Sequence, residues 1–246
     1  MKNTRILNTP WAAAALAVTA LAIPSAHSAT VWNVNIGSEI DTSDNFVGAA
    51  PENTVNSTWN SVGNTNLLPL VDSTGAAGTV TVQLGVVGGT LGFTGNGGYL
   101  PEIFTTWSKH TSNTLPVAVT FGGLSPTGTY DLIVYADWYW QGGDGVPITQ
   151  TTGTGMSGTV TLNNFADAVG TVHALTQDTD PTNNGSVKGN WIRINGLTPD
   201  GSGNLGFDMN GNNAPISGFQ LINTVPEPSA ALLGGLGLLA LLRRRR

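Results

Sequence analysis

The stretch from Thr114 to Tyr135, TLPVAVTFGGLSPTGTYDLIVY, decides the fold. In its first half, apolar residues occupy every second position: Leu115, Val117, Val119 and Phe121. This period-two alternation is typical of a half-buried β-strand, and the Gly-, Ser- and Pro-containing segment that follows it predicts a turn. The second half places Tyr130, Leu132 and Val134 on one face, with Ile133 and Tyr135 on the other. We therefore expect this strand to be central and covered on both faces.

The same pattern recurs through the body of the chain. Strands are predicted at Val31–Ile36, Gly78–Val87, Gly158–Phe165, Val169–Leu175, Asn190–Leu197, Asn204–Met209 and Ile216–Ile222. Gly142–Gly155 and Thr179–Ser186 are rich in polar residues and predict long loops. No segment of the body shows a helical period. These features predict an all-β domain of roughly ten antiparallel strands, a β-sandwich of the jelly-roll type.

The first 28 residues have the pattern of a signal peptide. Lys2 and Arg5 provide a charged start, and the apolar run from Trp11 to Ile23 is too short to span a bilayer comfortably. Small residues at the −3 and −1 positions, in Ala26-His27-Ser28, predict cleavage before Ala29. The sequence therefore divides into a signal peptide (1–28), a β-sandwich domain (29–223) and a C-terminal segment (224–246).

The C-terminal segment combines three features in a fixed order. Pro226, Glu227 and Pro228 form a stretch that resists helix formation, because each proline fixes φ and restricts the residue before it. A short apolar run, 230–242, follows and predicts a helix that enters the inner membrane transiently. The chain then carries a basic cluster, predicted to stay on the cytoplasmic side: Arg243, Arg244, Arg245 and Arg246.

This order resembles the PEP-CTERM sorting signal of exopolysaccharide-producing Gram-negative bacteria. The resemblance implies recognition by an exosortase, which cuts near the Pro-Glu-Pro motif and releases or re-attaches the protein outside the cell. It implies that the protein is localised at the cell surface or in the extracellular matrix, and it does not specify an activity.

Three stretches of the body carry a second resemblance. They are VWNVNIGS (31–38), GLSPTGTYDLIVYADWYW (123–140) and WIRINGLTPDGSGNLGFDMNGNNAPISGFQLI (191–222). Their order is similar to that of secreted PEP-CTERM proteins with galactose-binding-like jelly rolls, to which malectin-like domains are distantly related. The resemblance implies a sandwich whose first and last strands lie close together and a carbohydrate-associated role. It assigns no ligand residue.

The charge of the body limits its partners. Between Ala29 and Val225 there are three basic residues, Lys109, Lys188 and Arg193, against fourteen acidic ones, which gives a formal net charge of −11. Nucleic acid is not an expected partner, because neutralising phosphates requires clustered Lys and Arg. An acidic surface suits neutral glycans or divalent cations instead. Extracellular polysaccharide is the partner that we expect.

One aromatic cluster is a candidate glycan site. Trp138, Tyr139 and Trp140 follow the central strand and are flanked by Asp137 and Asp144. Aromatic rings stack on the apolar faces of sugars, and carboxylates bind their hydroxyls. The alternative is that Trp138 and Trp140 continue the strand alternation into the core, although a strand over Gly128–Gln141 would be unusually long. A second aromatic residue, Trp107, lies near Lys109 and His110 and is expected in the core.

Another segment is a candidate calcium site. Asp178, Asp180, Thr182 and Asn184 place oxygen atoms at alternate positions before Gly185, as calcium loops do, and Asp178, Asp180 and Asn184 are the candidate ligands. The twelfth position from Asp180 is Trp191 rather than the Glu of an EF-hand, so an EF-hand is excluded. Ordinary Asx turns explain these residues equally well. A structural calcium ion therefore remains one of two interpretations.

No sequence signature of an enzyme is present. The chain has no GxSxG, HExxH or P-loop motif and no cysteine. Asp137 could pair with Asp144 or Glu102 to hydrolyse glycosides, but so many scattered acids form such pairs by chance. We expect a non-enzymatic protein that binds glycan or serves as a matrix component. The alternatives are a secreted glycan-active hydrolase or lyase and a purely structural or adhesive protein without a ligand site.

Overall fold

The structure is a computed structural model of the 246-residue chain. The residues that it describes are 29–36, 49–50, 57–62, 67–86, 91–95, 106–110, 117–136, 145–163, 175–180, 188–209 and 216–224. Within them, no helix has the length and apolar character needed to cross a membrane. The predicted signal peptide and the predicted sorting helix lie outside these residues.

The described residues form β-strands joined by turns, so the prediction of an all-β body is confirmed. The first six strands are β1 (Thr30–Ile36), β2 (Trp59–Val62), β3 (Leu68–Val71), β4 (Ala77–Val86), β5 (Leu91–Gly95) and β6 (Thr106–His110). The remaining strands are β7 (Val117–Gly122), β8 (Tyr130–Tyr135), β9 (Val146–Thr152), β10 (Thr159–Leu162), β11 (Trp191–Leu197), β12 (Leu205–Met209) and β13 (Gly218–Asn223).

Two sheets form a sandwich-like arrangement. The five-stranded sheet has the order β11-β8-β13-β1-β2, and the six-stranded sheet has the order β10-β9-β12-β7-β4-β3. A separate antiparallel pair is made by β5 and β6. The chain crosses repeatedly between the two sheets, so most neighbouring strands within a sheet are not consecutive in sequence.

The first and last strands of the body are direct neighbours. β1 pairs antiparallel with β13 from Thr30, opposite Asn223, to Asn35, opposite Gly218. The implied closeness of these strands is thus confirmed. The prediction of a wholly antiparallel sandwich is wrong at one place, because β1 and β2 run parallel. The connection between them, 37–58, is long enough for the crossover that parallel pairing requires.

The core lies between the two sheets and follows the predicted alternation. Val80, Val82 and Leu84 of β4 are buried, and so are Val117, Val119 and Phe121 of β7. Phe121 meets Phe219 of the opposite sheet edge to face, with ring centroids 6.1 Å apart. Burial of these side chains is the main term that holds the sheets together, at roughly 1.5–3 kcal/mol for each large apolar side chain.

The central strand β8 is buried on both faces, as the sequence predicts. Every residue from Tyr130 to Tyr135 is buried. Tyr130, Leu132 and Val134 belong to the core between the sheets. Ile133 and Tyr135 belong to a second apolar cluster on the outer face of the five-stranded sheet, together with Val31, Ala50 and Ile222.

Hydrogen bonds link the two sheets at both lateral edges of the sandwich. The amide of Asn60 in β2 bonds the backbone N–H and C=O of Val71 in β3, at 2.9 and 2.8 Å, and so links the two sheets on one side. On the other side, Thr154 and Thr198 exchange backbone hydrogen bonds of 2.8 Å. These links satisfy backbone groups that edge strands would otherwise expose.

The strands of the sandwich define two opposite ends. We call the end that carries Thr30, Tyr130 and Asn223 the terminal end, because the chain of the body begins and stops there. It also holds four turns, at residues 72–76, 123–129, 153–158 and 198–204. The opposite end, where β1 and β8 stop and β9 and β11 begin, is called the distal end.

Two sequence predictions of strands and loops require correction. The polar segment Gly142–Gly155 was expected to be a loop, yet its residues Val146–Thr152 form β9. Five strands that the alternation did not indicate are present: β2, β3, β5, β6 and β9. β8 spans Tyr130–Tyr135, which agrees with the expectation that a strand over Gly128–Gln141 would be unusually long.

Candidate functional site

The predicted glycan-binding cluster is attached at the distal end. Asp137, Trp138, Tyr139, Trp140 and Asp144 lie outside the described residues, but both residues that flank the segment are described. Ala136 is fully buried and donates its N–H to the carbonyl of Asn190 at 3.0 Å. Gly145 is also buried and leads directly into β9. The segment therefore connects the end of the five-stranded sheet to the start of a strand in the six-stranded sheet.

Gly145 has a backbone conformation that allows the segment to join β9. Its φ of +70° lies in the left-handed region, which disfavours residues with a side chain. A Cβ atom there would approach Cγ2 of Thr161 to 2.7 Å. The attachment is thus fixed by a buried residue before the segment and by a glycine after it.

The carboxylate of Asp178 points into the protein. The residue is 1% exposed, and its Oδ2 accepts hydrogen bonds from the backbone N–H and the side-chain amide of Asn163, at 2.6 and 3.0 Å. Its Oδ1 accepts the N–H of Asp180 at 2.9 Å, which is an Asx turn. The contacts tie the segment around Asp178 to the end of β10. Asp178 therefore has a structural role that needs no metal.

The other predicted calcium ligands are only partly described. The carbonyl of Asp180 accepts the side-chain amide of Asn163 at 2.9 Å, and Asn184 lies outside the described residues. Across the described part of the chain, no group of three or more His, Cys, Asp or Glu residues could hold a metal ion. The Asx-turn interpretation accounts for Asp178, and the calcium site at Asp178, Asp180 and Asn184 stays a prediction.

A buried polar network on the outer face of the five-stranded sheet was missed by the sequence reasoning. Gln220 in β13 lies at its centre and is fully buried. Its Oε1 accepts the hydroxyl of Tyr135 and the N–H of Ala50, the latter at 2.9 Å, and its Nε2 donates to Oδ1 of Asn33 at 2.8 Å. The hydroxyl of Tyr135 in turn accepts the N–H of Ala49 at 2.6 Å.

This network links three strands to a segment that covers them. Burial raises the pKa of the Tyr135 phenol far above its ordinary value, outweighing the opposite effect of the hydrogen bond from Ala49. The phenol therefore stays protonated and acts as a donor to Gln220. Asn33 donates its side-chain amide to the carbonyl of Thr58 at 2.9 Å. The strands β1, β8 and β13 and the residues before β2 are thereby held in one arrangement.

Two tryptophans border this network. Trp59 packs edge to face on Tyr135, with ring centroids 6.3 Å apart. Trp191 is opposite Tyr135 in the pairing of β11 with β8, and it packs against the same apolar cluster. Both tryptophans are half-buried and pack on the outer face of the five-stranded sheet.

An ion pair lies on the same outer face, nearer the terminal end. Arg193 donates to Oδ2 of Asp131 at 2.7 and 3.1 Å, and Oδ1 of Asp131 accepts the N–H of Gly196 at 2.9 Å. The charges of Asp131 and Arg193 neutralise each other where β11 departs from regular pairing with β8. Their role is to fix this irregular strand end.

The remaining candidate residues lie away from these groups or outside the described residues. Trp107 lies in β6, opposite Thr94 of β5. Glu102 and the sorting residues Pro226, Glu227, Pro228 and Arg243 to Arg246 are outside the described part. The first residue of the C-terminal segment is described: Thr224 donates its N–H and its hydroxyl to the carbonyl of Thr129, at 2.9 Å each.

The comparison with protein families concerns the C-terminal segment. A family model described as the PEP-CTERM protein-sorting motif matches residues 224–246. No curated protein and no solved structure is significantly similar to the chain. The match covers the proline motif, the apolar run and the four arginines that the sequence singled out. The chain thus carries a PEP-CTERM sorting motif, which marks it as an exported protein that is sorted through an exosortase at the membrane to the cell surface.

Proposed function

We propose that the processed body is a non-enzymatic surface or matrix protein that associates with extracellular polysaccharide through its distal end. The observation that supports this proposal best is the attachment of residues 137–144. Their flanking residues, Ala136 and Gly145, are buried at the distal end, whereas the sorting tail begins at the terminal end. The segment thus leaves the fold at the end opposite to the one where the sorting motif begins.

The chemistry of the segment suits a carbohydrate ligand. In an extended segment adjacent residues point in opposite directions, so three consecutive aromatic residues such as Trp138, Tyr139 and Trp140 would not all face one core there. An aromatic ring that remains exposed can stack on the apolar face of a sugar, while Asp137 and Asp144 accept hydrogen bonds from its hydroxyls. The formal charge of −11 on the body favours a neutral polymer over a polyanionic one.

The test is retention of the protein by the polysaccharide that its own cells secrete. We expect alanine at a stacking position, Trp138, Tyr139 or Trp140, to weaken binding by roughly 1–3 kcal/mol, about tenfold to a hundredfold, with little change in melting temperature. Leu67→Ala is the matched control, since Leu67 is an apolar side chain that is 61% exposed and lies in a different segment.

Two results would contradict the proposal. If all three alanine variants unfold the domain, these residues belong to a core, because a core aromatic costs roughly 3–5 kcal/mol of stability when it is removed. If all three variants are retained as well as the unchanged protein, the segment is not the binding site, and a purely structural role is favoured. Release of reducing sugar by the unchanged protein would identify it instead as a glycan-active enzyme.

A further inference from the structure

The strand β11 carries an Asn-Gly pair, Asn195 and Gly196, at the point where its pairing with β8 is interrupted. Regular pairing stops after Ile194 and resumes at Leu197, so the two residues between them lie in a β-bulge. Both residues are exposed, and Gly196 has a φ of +73°, in the left-handed region. A Cβ atom at this glycine would meet nothing within 4 Å, so glycine suits the position through its backbone conformation alone.

An asparagine that is followed by glycine can lose its side-chain nitrogen without an enzyme. The main-chain nitrogen of the glycine gives its proton to a base from water and attacks Cγ of the asparagine, since no glycine side chain hinders the approach. The new N–Cγ bond closes a cyclic imide, while the Cγ–Nδ2 bond breaks and the leaving nitrogen takes up a proton from water to become ammonia. Water then opens the imide to aspartate, or to an isomer whose main chain runs through Cγ. The net change is one water added and one ammonia lost, with no oxidant or reductant.

The carboxylate of Asp131 holds the attacking nitrogen in the folded body. Its Oδ1 accepts the N–H of Gly196 at 2.9 Å, and its Oδ2 accepts two hydrogen bonds from Arg193. Asp131 is 6% exposed, so the contact is largely shielded from water. A hydrogen bond to an ionised group is roughly twice as strong as one between neutral groups. A carboxylate is nevertheless too weak a base to remove the proton of a peptide N–H, so the contact keeps this nitrogen protonated and fixed in place.

We propose that Asn195–Gly196 is a deamidation site that Asp131 keeps closed in the folded body. The reaction requires the nitrogen of Gly196 to give up its hydrogen bond to Asp131 and the main chain of the bulge to rearrange. Loss of the contact therefore opens the site, and the product adds a carboxylate or lengthens the main chain within β11. Asp131 thus protects an exported protein against chemical damage, and this role does not depend on glycan binding.

The rate of deamidation at residue 195 tests the proposal. The purified protein is incubated at mildly alkaline pH, with and without denaturant, and is then digested with chymotrypsin, which cuts after Trp191 and Leu197. The resulting peptide, 192–197, contains Asn195 as its single asparagine, and mass spectrometry detects the gain of one mass unit. We expect the reaction to be at least about tenfold slower in the native protein than in denaturant, because the contact must open first. Equal rates would overturn the proposal without any substitution.

Two variants show whether the contact with Asp131 is the cause of the protection. Asp131→Ala removes the acceptor of the Gly196 N–H, and we expect deamidation of the native protein to become several-fold faster. Arg193→Met is the matched control, because it breaks the ion pair but leaves Asp131 to accept that N–H, and we expect its rate to stay near that of the unchanged protein. An unchanged rate in Asp131→Ala, or equal acceleration in both variants, would overturn the proposal.

Tryptophan fluorescence verifies that each variant is folded. If Asp131→Ala unfolds, Asp131→Asn takes its place, because it keeps the size of the side chain and removes the charge that strengthens the contact with Gly196. We expect native Asp131→Asn to deamidate faster at residue 195 than the unchanged protein does. A rate no faster than that of the unchanged protein would likewise contradict the proposed role of Asp131.

Discussion

Replacing Gln220 by methionine tests the buried network that orders the outer face of the five-stranded sheet. Methionine has a similar length but no hydrogen-bonding amide. Gln220→Met removes the acceptor of the Tyr135 hydroxyl and of the Ala50 N–H, and the donor to Asn33. Because Gln220 is fully buried, water does not replace these partners at the native site.

The expected loss in the free energy of unfolding depends on how many polar groups lose a hydrogen-bond partner. Each buried donor or acceptor left unsatisfied costs roughly 1–3 kcal/mol. The hydroxyl of Tyr135 still accepts the N–H of Ala49, and Asn33 still donates to Thr58, so these two residues keep part of their bonding. We therefore expect a loss of about 3–5 kcal/mol in the free energy of unfolding, partly offset by the apolar side chain. This is a large fraction of the stability of a typical domain, about 5–15 kcal/mol.

Denaturant unfolding followed by tryptophan fluorescence measures this loss. The matched control is Gln83→Met, the same chemical change at an exposed position of β4, for which we expect a change within about 0.5 kcal/mol. A loss below about 1 kcal/mol for Gln220→Met, similar to that of the control, would refute the reasoning. The hydrogen bonds of Gln220 would then contribute little to stability.

Two further predictions concern the segment around Asp178. Gly189→Ala should destabilise the fold by about 1–3 kcal/mol, because its Cβ would lie 2.3 Å from the backbone nitrogen of Asp178. The control Gly201→Ala has open space around its Cβ and should be nearly neutral in the same thermal melts. Equal melting temperatures for the two variants would contradict this prediction. The calcium hypothesis for Asp178, Asp180 and Asn184 predicts a melting temperature that rises with calcium concentration, because the ion binds the native state. A melt that is unchanged between chelator and millimolar calcium would leave the Asx turn as the whole explanation.

The alternation of apolar residues predicted the central part of the fold because it reports directly on burial. Val80, Val82 and Leu84 face the core as the sequence indicates, and β8 is covered on both faces. β9 was missed because only Val146 and Ile148 are fully buried, while threonine and glutamine fill its second half. β9 lies between β10 and β12, but its weak apolar pattern makes its sequence resemble that of a polar loop.

Pairing and hydrogen bonding across the fold could not be predicted in the same way. The parallel alignment of β1 with β2 depends on where a long connection returns, which no local pattern records. Asp178 looks like a metal ligand in sequence because its partner, Asn163, is fifteen residues away. The local signs of the buried network were polar residues within apolar strands, Gln220 in β13 and Asn33 in β1.

The most direct test of the central claim is mass spectrometry of the protein recovered outside the cell. We expect its first residue to be Ala29 and no peptide to contain Arg243 to Arg246, because the C-terminal motif is cut during sorting. Cells without a functional exosortase should retain the arginine-containing peptide in the membrane fraction. An intact tail on the extracellular protein of normal cells would contradict the claim that residues 224–246 are a processed sorting signal.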